Sequence, residues 1–281
     1  MKTASNGKVY LVGAGPGDPE LLTVKAHALI RTASVILHDD LVPAAVLSLA
    51  SSQAMIVNVG KRCGTKNITQ AEINRLMVAS ARRGLSVVRL KSGDPGIFGR
   101  LAEERDALEA AGVQYEIVPG VTAGLAAAAS LGVSLTDRRT SSRIVLITAH
   151  RAHENEHDAP IDWRTLATNN STLVIYMPGH NFASLEKELR DAGLPADTPA
   201  AIVSRASTPD QREFHTTLGN LTNAPRLDAP NILLIGQSLD HAGARQQTDP
   251  VSLTWDSLLE AVDVSISAAN SNDNSERRIN S

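Results

Sequence analysis

The sequence predicts an α/β protein made of two successive sheets, the first mostly parallel and the second mixed. Short apolar runs alternate with helical patterns over most of the 281-residue chain, and loops rich in glycine follow several of those runs. This alternation is typical of strands joined by helical crossovers, which align the strands in one direction. The length suits two domains, and a hydrophobic content of 42% provides material for their cores.

Five strands are predicted in the first half, because each short apolar run ends at a polar or glycine-containing segment. They are Val9–Val12, Val35–Leu37, Met55–Val59, Val87–Leu90 and Tyr115–Val118. Helical spacing of apolar residues predicts helices after Thr23, at Pro43–Ala50, after Thr69, from Leu101 to Ala111 and at Thr122–Ser130. Thr23 is a predicted N-cap, and Thr69 with Glu72 has the spacing of a capping box.

The second half predicts a further series of strands with fewer helices. The strands are Ile144–Thr148, Leu173–Met177, Ala200–Ser204, Glu213–Thr217 and Asn231–Ile235, and a helix is predicted at Phe182–Ala192. Since no convincing helix separates the last two strands, the second sheet is predicted to be mixed. The expected domains are 1–137 and 138–240. The tail at 241–281 is expected to be largely disordered because its end is polar, although apolar spacing within it allows a short helix.

Composition argues against several classes of function. A net charge of −3 gives no overall attraction for nucleic acid or anionic membranes, and no apolar stretch approaches the length of a membrane span. Cys63 is the only cysteine, which excludes an intrachain disulfide and fits a cytoplasmic protein. His150, His153 and His157 lie among acidic residues without an apolar pattern, so a loop is favoured over a metal site. No nucleic-acid, membrane or metal partner is therefore predicted.

The loop after the first strand, Gly13–Pro19, predicts a ligand-binding site. Three glycines at alternate positions let the chain turn sharply and let a ligand approach the backbone. The spacing Gly-x-Gly-x-Gly departs from the dinucleotide fingerprint Gly-x-Gly-x-x-Gly, and Pro16 and Pro19 delay the following helix. Asp39 nevertheless lies where a dinucleotide fold places its ribose-binding acid, so an NAD-dependent oxidoreductase stays an alternative.

Two further loops, Ser92–Gly99 and Pro119–Thr122, also follow predicted parallel strands. Because the carboxyl ends of such strands share one edge of the sheet, all three loops should gather there around one ligand. Asp39 and Lys61 follow strands at the same edge. Asp39 suits a general base, with a helix cap or an ion pair to Lys61 as the alternative. Basic residues expected to concentrate positive charge near this edge are Lys61, Arg62, Lys91, Arg100, Arg138 and Arg139.

Together these motifs resemble the tetrapyrrole (corrin/porphyrin) methylase family. Val12–Thr23 is similar to the opening signature of that family. Later motifs narrow the resemblance to the branch that methylates uroporphyrinogen III. The later motifs are Val59–Arg62 with Gln70–Asn74, Arg89–Arg100, Val118–Thr122 and Thr172–Met177. The resemblance covers about Val9 to Leu239.

The resemblance implies the tetrapyrrole methylase fold, with a cofactor in the cleft between two α/β domains, and a homodimer. It implies S-adenosyl-L-methionine as methyl donor, with S-adenosyl-L-homocysteine as its product. The substrate it implies is uroporphyrinogen III, methylated at C2 and C7 to precorrin-2 for sirohaem or cobalamin synthesis. The family's proton acceptor and donor match Asp39 and Lys61. The family's cofactor contacts match Pro16, Ser92, Gly93, Asp94, Ile97, Thr122, Ala123, Met177 and Ala206.

Departures from the family pattern leave a later precorrin methylase of cobalamin synthesis as an alternative. His38 replaces the family's usual tyrosine, Ser92 replaces a glycine and Gly96 replaces a phenylalanine. The resulting Ser-Gly-Asp-Pro loop is similar to that of later corrin-ring methylases, whereas the motifs around Lys61 and Gln70 favour uroporphyrinogen III. An idle cofactor-binding protein is a third alternative. The chain has no room for the dehydrogenase/ferrochelatase module fused to some relatives, so methylation alone is expected.

Overall fold

Two five-stranded sheets follow one another in the computed structural model, which describes residues 7–60, 68–149, 161–179 and 182–240. The first sheet takes its strands from residues 9–118 and the second from residues 143–235. The predicted site residue Lys61, the histidines at 150, 153 and 157 and the 241–281 tail lie outside the described residues.

The first sheet is parallel throughout, because each crossover returns the chain to the same end of the sheet before the next strand begins. Its strands are β1 (Val9–Gly13), β2 (Val35–His38), β3 (Met55–Asn58), β4 (Val87–Lys91) and β5 (Tyr115–Val118). Their order is β3-β2-β4-β1-β5, and every pair is parallel. The predicted parallel sheet is confirmed. The order places β4, β1 and β5, which precede the three glycine-containing loops, side by side.

The described part of the first half contains five α-helices. They are α1 (Val24–Thr32), α2 (Ala44–Leu47), α3 (Gln70–Arg82), α4 (Leu101–Ala110) and α5 (Ala123–Leu131). The Thr23 hydroxyl accepts a hydrogen bond from the Ala26 amide at 3.1 Å, which confirms the predicted N-cap of α1. The helix predicted at Pro43–Ala50 is shorter than expected, because after Leu47 the chain continues in three-residue turns.

The second sheet contains β6 (Arg143–Thr148), β7 (Ser171–Tyr176), β8 (Pro199–Ser204), β9 (Arg212–Thr217) and β10 (Asn231–Ile235), in the order β6-β7-β10-β8-β9. β6 and β7 run parallel and the other neighbours antiparallel, which confirms the predicted mixed sheet. A single helical turn, α6 (Trp163–Leu166), was not predicted, because four residues carry too little periodicity. The predicted helix is α7 (Phe182–Asp191). Among the described residues, no helix is long and apolar enough to cross a membrane.

The last helix of the first half packs against the second sheet. Ala127 and Leu131 of α5 are buried in one apolar cluster with Val174 of β7 and Leu234 of β10. The domain boundary at residue 137 stays a prediction. The packing of α5 nevertheless ties the chain before this boundary to the sheet that follows it.

We expect Thr69→Ala to lower the free energy of unfolding by about 1 kcal/mol, because it removes the N-cap of α3. The Thr69 hydroxyl accepts from the Glu72 amide at 3.2 Å, and the Glu72 carboxylate accepts from the Thr69 amide at 2.7 Å. Urea unfolding followed by circular dichroism measures the change. Thr32→Ala is the control, since that exposed hydroxyl bonds only carbonyls of its own helix. An equal loss in both variants would contradict the capping role.

Candidate active site

Three loops meet at the carboxyl end of the first sheet, as their positions after parallel strands predict. The Gly15 and Gly93 backbones bond each other in both directions, with N···O distances of 3.2 and 2.7 Å. The third loop joins them through the Gly120 amide, which donates to the Asp94 carboxylate at 2.9 Å. The loops therefore form one continuous surface that is mostly backbone.

Glycine is required where these loops touch. A Cβ added at Gly120 would lie 2.3 Å from the Gly93 carbonyl oxygen, and one added at Gly13 would lie 2.6 Å from the same oxygen. That oxygen belongs to the backbone, so it cannot rotate away as a side chain can. Gly93 itself has φ = +68°, a left-handed conformation that glycine adopts without strain. The glycines thus permit close packing between loops as well as access for a ligand.

A cavity of about 360 Å³ opens beside the loops and extends to the second sheet. Its volume lies within the roughly 300–1,000 Å³ typical of small-molecule sites. The first half contributes charged groups to its lining, including Asp39, Asp40 and Lys91. The second half contributes a largely apolar wall that includes Met177 and Ile232. Such a lining suits a ligand with an apolar part and a polar part.

The cavity brings together every predicted site residue that the structure describes. Asp39, from the predicted catalytic pair, lines it, whereas Lys61 lies outside the described residues. The residues matching the family's cofactor contacts all line it: Pro16, Ser92, Gly93, Asp94, Ile97, Thr122, Ala123, Met177 and Ala206. Their individual roles remain predictions.

The Asp94 side chain is already engaged within the loops. One carboxylate oxygen accepts from the Gly96 amide at 2.7 Å, and the other accepts from the Gly120 amide at 2.9 Å. Hydrogen bonds to an ionised carboxylate are among the stronger ones in proteins. Asp94 therefore shapes the cavity by joining two loops through its side chain.

Tyr176, at the end of β7, connects the two halves beside the cavity. Its hydroxyl forms a hydrogen bond with the Thr122 hydroxyl at 2.8 Å and accepts one from the Gly124 amide at 3.1 Å. Its ring centroid lies 4.9 Å from that of Phe98. Tyr176 belongs to the Thr172–Met177 motif. The apolar pattern of this strand end does not predict which of its side chains contacts the first half of the chain.

Strained backbone is concentrated around the cavity. Among the described residues, the non-glycine positions with positive φ are Phe98, Arg100, Met177, Arg205 and Ser207. Phe98 and Met177 line the cavity, and the last two flank Ala206, which also lines it. Such conformations cost on the order of 1–3 kcal/mol each and persist where the surroundings enforce them. Their clustering here supports a functional site.

A buried charge network adjoins Asp39 and was not predicted from the sequence. Arg89 on β4 is 2% exposed and forms ion pairs with Asp39 and with Glu104, the latter at 2.9 Å from Nε to Oε1. Lys91, on the same strand and 3% exposed, donates to the same Glu104 oxygen at 2.9 Å. The available signal was the alternation of Arg89 and Lys91 within an otherwise apolar strand. Among the described residues, the ion-pair partner of Asp39 is therefore Arg89.

Burial and neighbouring charges shift the pKa values of both cations. Burial opposes the charged form of Arg89, but Asp39 and Glu104 outweigh it and raise the pKa of Arg89. Burial is the largest influence on Lys91, and together with the adjacent Arg89 charge it lowers the pKa of Lys91 despite Glu104. The pKa values of both Arg89 and Lys91 therefore depend on Glu104.

Of the four basic residues expected at this edge that the structure describes, three are paired with acidic side chains. Lys91 is paired with Glu104, Arg100 lies 2.7 Å from Glu103, and Arg139 lies 2.7 Å from Asp137. Counting basic residues in the sequence did not reveal these acidic partners.

Comparison with known proteins decides the family. Residues 8–222 match the family described as tetrapyrrole (corrin/porphyrin) methylases. The chain belongs to this family. Among curated tetrapyrrole methylases, the uroporphyrinogen-III C-methyltransferase of Pseudomonas aeruginosa is 46% identical over 235 residues, which cover 83% of this chain and 94% of that protein.

Solved structures of tetrapyrrole methylases share the fold. The uroporphyrin-III C-methyl transferase of Thermus thermophilus, complexed with S-adenyl homocysteine, is 39% identical with a TM-score of 0.71, covering 83% of this chain and 99% of that one. A cobalt precorrin-4 methyltransferase is 32% identical with a TM-score of 0.73, covering 85% and 99%. The predicted tetrapyrrole methylase fold is confirmed.

Membership in this family favours methyl transfer over the oxidoreductase alternative. The loop geometry agrees, since α1 begins only at Val24, after a 3-10 turn at Pro19–Leu21. A dinucleotide fingerprint instead places the helix N-terminus directly after the glycines, against the pyrophosphate.

We expect Gly120→Ala to weaken the binding of S-adenosylhomocysteine by about tenfold or more, because overpacking of roughly 1–3 kcal/mol would separate the loops. Isothermal titration calorimetry measures the affinity. Gly112→Ala is the control, since an added Cβ there meets nothing within 4 Å, while its φ of +64° makes alanine unfavourable at that position. We expect that control to lose stability but to keep its affinity. Equal weakening in both variants would contradict the close-packing argument.

Proposed function

We propose that this chain is an S-adenosyl-L-methionine-dependent methyltransferase that methylates uroporphyrinogen III at C2 and C7, giving precorrin-2 for sirohaem or cobalamin synthesis. One observation carries the proposal. Residues that match the family's cofactor contacts, spread along the sequence from Pro16 to Ala206, line a single cavity together with Asp39. The names of the similar proteins support the same substrate and methyl donor.

The cavity residues fit S-adenosylmethionine. Ala123, Ala206 and Ile232 provide small or apolar surfaces suited to an adenine ring and a thioether. The backbone around Gly93 lines the cavity without an intervening side chain, so its polar groups suit an amino-acid head group. When bound, S-adenosylmethionine supplies an electrophilic methyl group.

The protein's own contribution is orientation and proton handling. Fixing two reactants in the productive geometry can recover roughly 7–11 kcal/mol of a reaction barrier. Asp39 lines the cavity, its side chain is 32% exposed, and Arg89 holds its carboxylate. We assign Asp39 to accept the proton that the methylated ring must lose to regain neutrality. Lys61, outside the described residues, is the proposed proton donor.

A later precorrin methylase is the second candidate, because the cobalt precorrin-4 methyltransferase structure is comparably similar in fold. Incubation with S-adenosylmethionine and each tetrapyrrole, followed by mass spectrometry, separates the two. Conversion of uroporphyrinogen III to a dimethylated product, with a red fluorescent trimethylated side product, supports the first function. Turnover of a later precorrin alone would replace it with the second.

We expect Asp39→Asn to reduce kcat by about 10²–10⁴-fold, because the amide cannot accept a proton as the carboxylate does. Affinity for S-adenosylhomocysteine should stay unchanged, since the substitution preserves side-chain size. Initial rates with uroporphyrinogen III measure the effect. Asp106→Asn is the matched control, as Asp106 is exposed and pairs with Arg105 on α4. Wild-type rates in Asp39→Asn would remove Asp39 from the mechanism.

We also propose that the protein is a homodimer in the cytoplasm; the cytoplasmic location rests on the single cysteine. The dimer is supported by β6, an edge strand whose Ile144 and Leu146 are 42% and 38% exposed. Leu146 pairs with Val174, a residue buried beneath α5 on the same face. An apolar edge of this kind is usually covered, and a second copy of the chain is the proposed cover.

We expect Leu146→Lys to shift the protein from dimer to monomer, because the new charge would be buried at the interface. Size-exclusion chromatography with light scattering measures the mass. Leu76→Lys on α3, a similarly exposed leucine at 40%, should leave the dimer intact. A monomeric wild type, or a dimeric Leu146→Lys variant, would contradict this interface.

A further inference from the structure

Glu104 of α4 is a carboxylate with no exposed surface, and it does not line the cavity. Its Oε1 atom accepts hydrogen bonds from Arg89 Nε at 2.9 Å, from Lys91 Nζ at 2.9 Å and from Gln70 Nε2 at 3.3 Å. Among the residues that the structure describes, none provides a hydrogen bond to its Oε2 atom. A buried carboxylate with an unmet acceptor is unfavourable for stability. Since buried ion pairs are often replaceable by apolar residues without loss of stability, stability alone does not account for Glu104.

Both cations that pair with Glu104 are connected to the cavity, and Lys91 itself lines it. Arg89 does not line it, but its Nη2 atom bonds the carboxylate of Asp39, which does. The Nη1 atom donates to the carbonyls of Leu37 and Leu90, each at 3.3 Å. All three guanidinium nitrogens are therefore engaged, which leaves the side chain one orientation. Only the Nε bond depends on Glu104.

The bond between Glu104 and Arg89 Nε matters because Glu104 also pairs with a second cation, Lys91. Arg89 and Lys91 point to the same face of β4, because side chains two residues apart share a face. The single Glu104 oxygen lies between these like charges and bonds both. Without its negative charge the two cations would repel each other, and Arg89 would move relative to Asp39.

We propose that Glu104 is a positioning residue for methyl transfer, fixing Arg89 so that Asp39 is held in the orientation needed to remove the proton. This inference rests on the proposed function, since the role of Asp39 does. Glu104 acts through Arg89 and touches no residue assigned to the cofactor. It should therefore affect the chemical step and leave cofactor binding alone.

Glu104→Gln tests the proposal, because it keeps the side-chain volume and removes the charge. We expect kcat to fall by about 10–100-fold, the size of effect that misplacement of a reacting group produces. The dissociation constant for S-adenosylhomocysteine should stay within about twofold. Glu104→Asp keeps the charge but shortens the side chain, so its kcat should be intermediate. Gln70→Ala removes neutral hydrogen bonds to Glu104 and Asn74 but leaves both ion pairs of Glu104 in place. It should therefore reduce kcat only slightly.

A double-mutant cycle with Asp39→Asn separates positioning from a general structural role. If Glu104 acts through Asp39, adding Glu104→Gln to Asp39→Asn should reduce kcat by less than about twofold further. Wild-type kcat in Glu104→Gln would overturn the proposal, as would costs that multiply in the double variant. Melting temperatures verify that each variant is folded. Should Glu104→Gln fail to fold, Glu104→Asp carries the same cycle.

A readout that needs no turnover keeps this proposal separate from the proposed function. The side-chain Nε–H signal of Arg89 in a nitrogen-correlated NMR spectrum, assigned with Arg89→Lys, reports the bond to Glu104. We expect slow hydrogen exchange in the wild type and in Gln70→Ala, and faster exchange with a shifted signal in Glu104→Gln. An unchanged Arg89 signal would overturn the positioning role for any substrate. Absence of wild-type turnover on uroporphyrinogen III would instead contradict the proposed function.

Discussion

The close approach of three backbone loops at Gly13, Gly93 and Gly120 is the constraint on which the rest of the structure depends. The loops meet because β4, β1 and β5 are adjacent and parallel, so their carboxyl ends share one edge. They can touch because no Cβ intervenes at Gly13 and Gly120, and because Gly93 adopts its φ of +68° without strain. The result is a cavity wall made largely of backbone, whose shape is set by the sheet and tolerates little change at these three positions.

The two faces of β4 show how one strand serves both the core and the site. Val88 and Leu90 lie in an apolar cluster with residues of α1, whereas Arg89 and Lys91 face the opposite side with Glu104. Two positive and two negative groups, counting Asp39, balance within this network. Buried ion networks add little net stability, but they define geometry narrowly because any missing partner leaves a charge uncompensated. Such closely fixed side-chain geometry suits a site that must hold Asp39 in one orientation.

The parts of the structure that were predictable from the sequence depend on local pattern. Strand positions follow from short apolar runs, the caps at Thr23 and Thr69 follow from residue spacing, and the convergence of the glycine loops follows from parallel order. The contacts that were missed join residues far apart in sequence. Arg89 and Asp39 are 50 residues apart, and Thr122 and Tyr176 are 54 apart. No periodicity links such pairs, and charge counting misjudged Arg100 and Arg139 because it ignores acidic neighbours.

The start of α5 has an unusual cap. Thr122 occupies the N-cap position, but its side chain caps no amide of its own helix. The Gly124 amide instead donates to the Tyr176 hydroxyl, 52 residues later. An added Cβ at Gly124 would lie 2.6 Å from that hydroxyl. The helix is therefore completed by the strand of the other half. A chimaera made from two relatives by joining them at the junction of the halves would keep this cap only if both parents carry the glycine and the tyrosine at these positions. The two halves are therefore not independent modules for building chimaeric enzymes.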